Sequence, residues 1–200
     1  MEKNTIIIII LALVVGLGIG YALSGGSLPA RQSLGVGGMG QNIDQRFIVQ
    51  MIPHHEGAIA MAEIALERSK RPEIISLANG IIEAQTREIT DMRAWYQSWF
   101  DSAPPEGGMP ARQSLGAGGG MHMGGMTGEI DDLEATSAAE FDREFMEQMI
   151  PHHEMAIMMA QMLAAATERP EMQQLADNIM TSQAREIEMM MSWLKSWYGN

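Results

Sequence analysis

Cysteine does not occur in these 200 residues. That excludes a disulfide framework and any thiolate metal site. Cations are scarce as well: 13 Lys and Arg stand against 25 Asp and Glu, a formal charge of −12. Nucleic acid and anionic membrane surfaces need clustered Lys and Arg, so neither is an expected partner. Histidine occurs only five times, whereas methionine occurs 20 times. Thioether without thiol suits an oxidising compartment, where cysteine is oxidised more readily than methionine.

Charge is also missing from one long stretch. Thr5 to Leu23, "TIIIIILALVVGLGIGYAL", is uncharged and long enough to cross a bilayer as a helix. Lys3 is balanced by Glu2, so the flanking charges say little about orientation. Small residues around Ala22-Leu23-Ser24 also offer a place for signal peptidase. Residues 1–23 are therefore expected to be an uncleaved membrane anchor, with a cleaved signal as the alternative. Either way the remainder is exported. Residues 24–41, rich in Gly, Ser and Pro, read as a flexible linker, and 42–200 as the folded domain.

That domain is written twice. Phe47 to Phe100 aligns without a gap onto Phe145 to Tyr198, at a constant offset of 98. Roughly half of the aligned positions are identical, far above chance for a period of this size. Even the linkers share text: "ARQSLGVGGMG" at 30–40 recurs as "ARQSLGAGGGM" at 111–121. The halves are 42–100 and 137–198, joined by a Gly/Met-rich loop over 101–136.

Each half reads as two helices. Asn42 with Gln45, and Ser137 with Glu140, have the spacing of capping boxes that open the first helix. These helices are expected to run to about Arg68 and Thr167. Pro72 and Pro170, each followed by Glu, restart the chain as first helical residues. The second helices carry apolar stripes: Ile74, Leu77, Ile81, Met92, Trp95 and Trp99, and the matching Met172, Leu175, Ile179, Met190, Trp193 and Trp197. One hairpin alone cannot bury such a stripe. Two hairpins together predict an all-α, antiparallel four-helix bundle with internal two-fold pseudosymmetry.

The chemistry gathers in "MIPHHEGAIAMA" at 51–62 and "MIPHHEMAIMMA" at 149–160. Pro53 and Pro151 fall inside the first helices, where proline removes a hydrogen bond at a cost of about 3 kcal/mol. Its repetition predicts a use, a kink that opens the helix beside the histidines. His55 falls on the core stripe of Ile48, Ile52, Ile59, Ala62 and Leu66, and His54 about 100° away beside Met51, Ala58 and Met61. The second copy repeats this with Met149, His152, His153 and Met159. A lone core histidine is usually structural; adjacent pairs in both halves, each with methionine one turn back, point to metal ligation. Bundles that bind two irons place Glu-x-x-His on their helices. Here the spacing is Met-x-x-His, and thioether with imidazole selects Cu(I), with Ag(I) and Cu(II) as further candidates.

The second helices add Gln85, Glu88 and Met92, repeated in register as Gln183, Glu186 and Met190. A carboxylate on a core stripe is costly unless paired. Glu88 and Glu186 either hold the distal nitrogen of a histidine or pair with Arg87 and Arg185. Met92 and Met190 are candidate ligands, and Glu56 and Glu154 are expected to face solvent. In "GGGMHMGGMTG", Met121, His122, Met123 and Met126 lie among glycines with no core to fill, which suggests a loose Cu(I) capture site.

"MIPHHE" with a Q-x-x-E-I helix ending in tryptophan, present in both halves over about residues 42–200, resembles the 305 family of domains of unknown function (DUF). The resemblance implies a ferritin-like four-helix bundle and an exported copper-binding role in copper resistance or trafficking. It places metal ligands at His54, His55, His152 and His153, with Met51, Met61, Met149 and Met159. A non-catalytic protein that sequesters or carries copper is thus expected, with a copper efflux or copper-accepting protein as a candidate partner. The alternative is a ferritin-like redox enzyme, a copper or di-iron oxidase.

Overall fold

The computed structural model describes residues 37–106 and 125–199. Among them every regular element is helical: α1 (Gly37–Arg68), α2 (Pro72–Phe100), α3 (Gly125–Ala135), α4 (Phe141–Ala164) and α5 (Pro170–Tyr198). The expected anchor or signal at 1–23 and most of the expected linker lie outside the described residues. No described helix is long and apolar enough to cross a membrane.

The two hairpins turn in the same way. Pro72 and Pro170 sit at the first helical position, where a missing N–H costs no helical hydrogen bond. Just before them, the Arg71 N–H donates to Ser69 Oγ at 3.2 Å, and the Arg169 N–H to Thr167 Oγ1 at 3.1 Å. At the far ends Asp101 and Gly199 adopt left-handed φ values of 52° and 73°. Their N–H groups donate to the Gln97 and Lys195 carbonyls, each at 3.1 Å, which closes the last turn.

The hairpins α1–α2 and α4–α5 meet through α1 and α4, giving an antiparallel four-helix bundle. The direction of that crossing follows from the core. In one apolar cluster Phe47 to Ile52 of α1 pack with Ala156 to Leu163 of α4. In the other, Ala58 to Ala65 pack with Phe141 to Met149. Residues before the crossing on one helix thus meet residues after it on the other.

Each end of the bundle is held by an arginine that reaches into the opposite half. Arg71 Nε lies 3.2 Å from Asp142 Oδ2, and its guanidinium stacks 4.1 Å from the Trp197 ring. Its counterpart Arg169 lies 3.1 Å from Asp44 Oδ2 and 4.0 Å from Trp99. The planar guanidinium bonds a carboxylate at its edge while stacking on an aromatic face, which an ammonium cannot do.

Three details depart from the sequence reading. α1 begins at Gly37, before the Asn42 box. Ser137 Oγ does bond Glu140 Oε2 at 3.2 Å, but Ser137–Glu140 form a turn closed by the Glu140 N–H on the Ser137 carbonyl, and α4 starts at Phe141. Gly125–Ala135, expected as loop, is a helix that seats fully buried Leu133 in the core. Arg68 bonds the carbonyls of Leu133, Glu134 and Thr136, supplying donors that the last turn of α3 lacks. The position matching Arg68 in the second half is Ala166, so Arg68 has no counterpart arginine there.

The two clasps differ in burial, and this sets a prediction. Asp44 is 2% exposed and Asp142 17%. Burial pushes the Asp44 carboxyl above its usual range, against the pull of Thr167 and Arg169. Arg169→Ala should lower stability by about 3 kcal/mol, because it strands a buried acid. Arg71→Ala should cost about 1 kcal/mol. Urea unfolding of the two variants would measure this, and equal losses would show that the burial of Asp44 has no part in it.

Candidate metal centre

Both prolines lie inside continuous helices, Pro53 in α1 and Pro151 in α4. Neither can donate to the carbonyl four residues back, Val49 or Glu147. One and two residues further on come the histidine pairs. All four rings are buried: His54 at 2% exposure, His55 at 0%, His152 at 5% and His153 at 0%. This corrects the expectation that only His55 and His153 face the core. A single-stripe reading assumes one buried face, but α1 and α4 are each packed on two sides. His54 turns toward the opposite half, and His55 toward the second helix of its own.

The His54 and His152 rings meet across the pseudo-two-fold axis, with centroids 3.8 Å apart and planes tilted by 42°. His55 Nε2 lies 2.6 Å from Glu88 Oε2, and His153 Nε2 lies 2.6 Å from Glu186 Oε2. The reading that paired these acids with arginine does not match the contacts: Arg87 bonds Glu83 instead. With the carboxylate accepting, Nε2 carries the proton of that bond, and Nδ1 of each ring is left buried without a partner. Glu56 is exposed and bonds Arg93 at 2.7 Å, and Glu154 is exposed too.

The inner nitrogens have no partners. His54 and His152 leave both ring nitrogens unbonded, and His55 and His153 leave Nδ1 unbonded, all of them buried. Protein interiors rarely strand so many polar atoms in one layer. The sequence reading gave Gln85 and Gln183 no role, yet both belong here. Each is 3% exposed with its Oε1 unpartnered, one turn before the glutamate. Their repetition in register was the available signal.

The methionines are sorted differently from the expectation. Met51, Met92 and Met172 share one apolar cluster, and half-buried Met159 and Met180 of the other half pack against it. Met149 and Met190 share the second cluster, together with Met61. The single-helix set of Met51, His54 and Met61 is therefore split, because the antiparallel crossing sends residues on either side of the histidines to opposite ends. Each end combines thioethers from both halves: Met51 and Met92 with Met159, Met172 and Met180 at one, Met61 with Met146, Met149, Met189 and Met190 at the other. Among the described residues no three His, Asp or Glu side chains are arranged to hold an ion by themselves. Met126 lies at the start of α3; Met121, His122 and Met123 fall outside the described residues.

The arrangement keeps its central rings neutral. Burial first, and then the neighbouring histidines, lower the His54 pKa to about 3 and that of His152 to about 2. Neutral imidazoles beside thioethers form a soft donor set suited to monovalent, polarisable cations.

These features define an all-α bundle with a buried imidazole–thioether layer at its pseudo-two-fold axis. Residues 44–200 match the family model described as "Domain of unknown function (DUF305)", and the chain belongs to that family. Among solved structures, CopM in its Cu(I)-bound form is 44% identical, with 78% of this chain and 97% of that chain covered and a TM-score of 0.64. CopM in an Ag-bound form obtained by soaking gives 44% identity, coverage of 78% and 96%, and a TM-score of 0.65. A DUF305 fragment from Deinococcus radiodurans is 28% identical over 77% of this chain and 96% of its own, with a TM-score of 0.63. Uncharacterized protein L153 of Acanthamoeba polyphaga mimivirus is 42% identical over 59 residues, which span 30% of this chain and 39% of that protein.

The neutral rings predict an acid sensitivity. In the unfolded chain both histidines protonate near pH 6.5; in the fold they resist protonation down to about 3 and 2. Stability from this source is complete above pH 6.5 and is lost as the pH falls from there toward 3. Each ring contributes a slope approaching about 1.4 kcal/mol per pH unit. Chelator-treated protein should therefore melt progressively lower between pH 6.5 and pH 4. A melting temperature that stays flat over that range would show that the rings are not held neutral.

Proposed function

We propose that this chain is a non-catalytic copper-binding protein that holds Cu(I), and by the same ligand chemistry Ag(I), at two pseudo-equivalent bundle sites. The observation that carries the reading is the layer of buried, unpartnered imidazole nitrogens lying between two methionine clusters. His54, His55, Met51 and Met92 would serve one site with Met159, and His152, His153, Met149 and Met190 the other with Met61. Glu88 and Glu186 hold the outer ring nitrogens and so orient the inner ones. Similarity to CopM, solved in Cu(I)-, Ag- and Cu(II)-bound forms, supports copper as the cargo. Against a ferritin-like oxidase stands the ligand set: no helix carries Glu-x-x-His, and the carboxylates facing the histidines are already engaged by them.

The apolar stretch at 5–23 and the lack of cysteine support an exported protein, tethered to a membrane if that stretch is retained. In that setting its task is copper homeostasis or resistance, exchanging the ion with an efflux or acceptor protein. The segment around Met121, His122 and Met123 would add a looser capture site.

Thioether and imidazole donors predict selectivity. Cu(I) and Ag(I) should bind far more tightly than Zn(II) or Fe(II). Competition against a Cu(I) chelator would measure this, and zinc binding of equal strength would remove the thioethers from the site.

A second prediction separates ligand from filler. Leucine approximates the volume of histidine but has no polar atom to strand. The His54→Leu/His152→Leu pair should raise the stability of the metal-free protein by about 1 kcal/mol or more, while Cu(I) affinity collapses. Unchanged affinity together with a lower melting temperature would make the rings structural.

A further inference from the structure

Methionine ordinarily fills cores, yet four methionines here stand in water. Met155, Met158, Met162 and Met191 are 38%, 40%, 58% and 58% exposed. The first three lie on α4. With half-buried Met159 they occupy positions i, i+3, i+4 and i+7, an arc of about 100° on one helix face. The bundle does not require them. The matching positions in the first half are Gly57, Ala60, Met61 and Ile64, so three of the four thioethers belong to the second half alone.

We propose that Met155, Met158 and Met162 form an outer soft-metal site that takes Cu(I) or Ag(I) from solution and passes it by way of Met159 to the buried histidines. Side chains three and four apart on a helix are neighbours, with Cβ atoms about 5–6 Å apart. The flexible methionine side chain then lets two sulfurs close on one ion. The stripe also leads inward. Met155 follows His152 by three residues, and Met159 packs against the cluster that contains Met51 and Met92. Exposed, mobile ligands lose rotamer freedom on closing round an ion, so the outer site binds more weakly and exchanges faster than the buried one. The ion moves as a monovalent cation throughout; neutral thioethers release no proton and no electron changes hands.

This site rests on the copper reading above, and the test keeps the two apart. Met155→Leu/Met158→Leu/Met162→Leu in the full chain keeps apolar bulk and removes the sulfur donors. Silver titration should show that the tight fraction persists and a weaker fraction is lost. Cu(I) loading of the tight fraction from a chelator complex should slow severalfold. In the wild type, Ag(I) should protect Met155, Met158 and Met162 from oxidation to sulfoxide by hydrogen peroxide. An unchanged weak fraction with an unchanged loading rate overturns the outer site and leaves the buried one standing. Protection of the stripe before any metal is added means that a second copy covers it, which also overturns the proposal. A wild type that binds no silver overturns both readings together.

Discussion

Two uncharged imidazoles, His54 and His152, lie against each other at 3.8 Å where the halves of the bundle cross. A proton on either ring would place a cation in a medium that cannot solvate it. Neutrality is therefore a condition of the fold, and a neutral imidazole is also what a metal needs. The same atoms that weaken the metal-free bundle make it a good ligand set. The apolar clusters on both sides of the axis must be large enough to offset these stranded nitrogens, which accounts for the near-zero exposure of so much of α1 and α4.

The remaining architecture serves that crossing. Glu88 and Glu186 approach from the second helices and leave one nitrogen of His55 and of His153 facing inward. At the two ends, Arg71 and Arg169 each join an acid and a tryptophan of the opposite half, which fixes how far one hairpin can slide along the other. A slide would part the two central rings. α3, held by Arg68, adds a helix to the bundle through a contact that Ala166, the counterpart of Arg68, cannot repeat.

Much of this was legible in the sequence, and the limits have a physical pattern. Local features were readable: the proline restarts, the duplicated halves, the apolar stripes, and the carboxylates set on a core face. Helical periodicity states which residues share a face, but not how many partners a helix has; hence the depth of His54 and His152 was missed. It is equally silent on which end of a crossing each methionine joins, so Met51 and Met61, read as neighbours on one helix face, fall in different apolar clusters, and Met149 and Met159 likewise part. The reciprocal arginines link positions 70 to 126 residues apart and leave no local signature. α3 begins with Gly125 inside a glycine-rich run that reads as loop, and the burial of Leu133, the packing of Ile130 and the Arg68 hydrogen bonds account for its folding onto the core.

One chain carries both members of the central ring pair, and this changes the concentration dependence of the site. Were the halves separate hairpins, the crossing would have to assemble from two molecules, and dilution would dissolve it. Joined in one polypeptide, the halves meet at an effective concentration fixed by the connection between them rather than by protein abundance. A cell holding very few copies would then have the same site as one holding many. Each half is also free to accumulate its own substitutions, as the methionines confined to α4 illustrate, without imposing the same change on its twin.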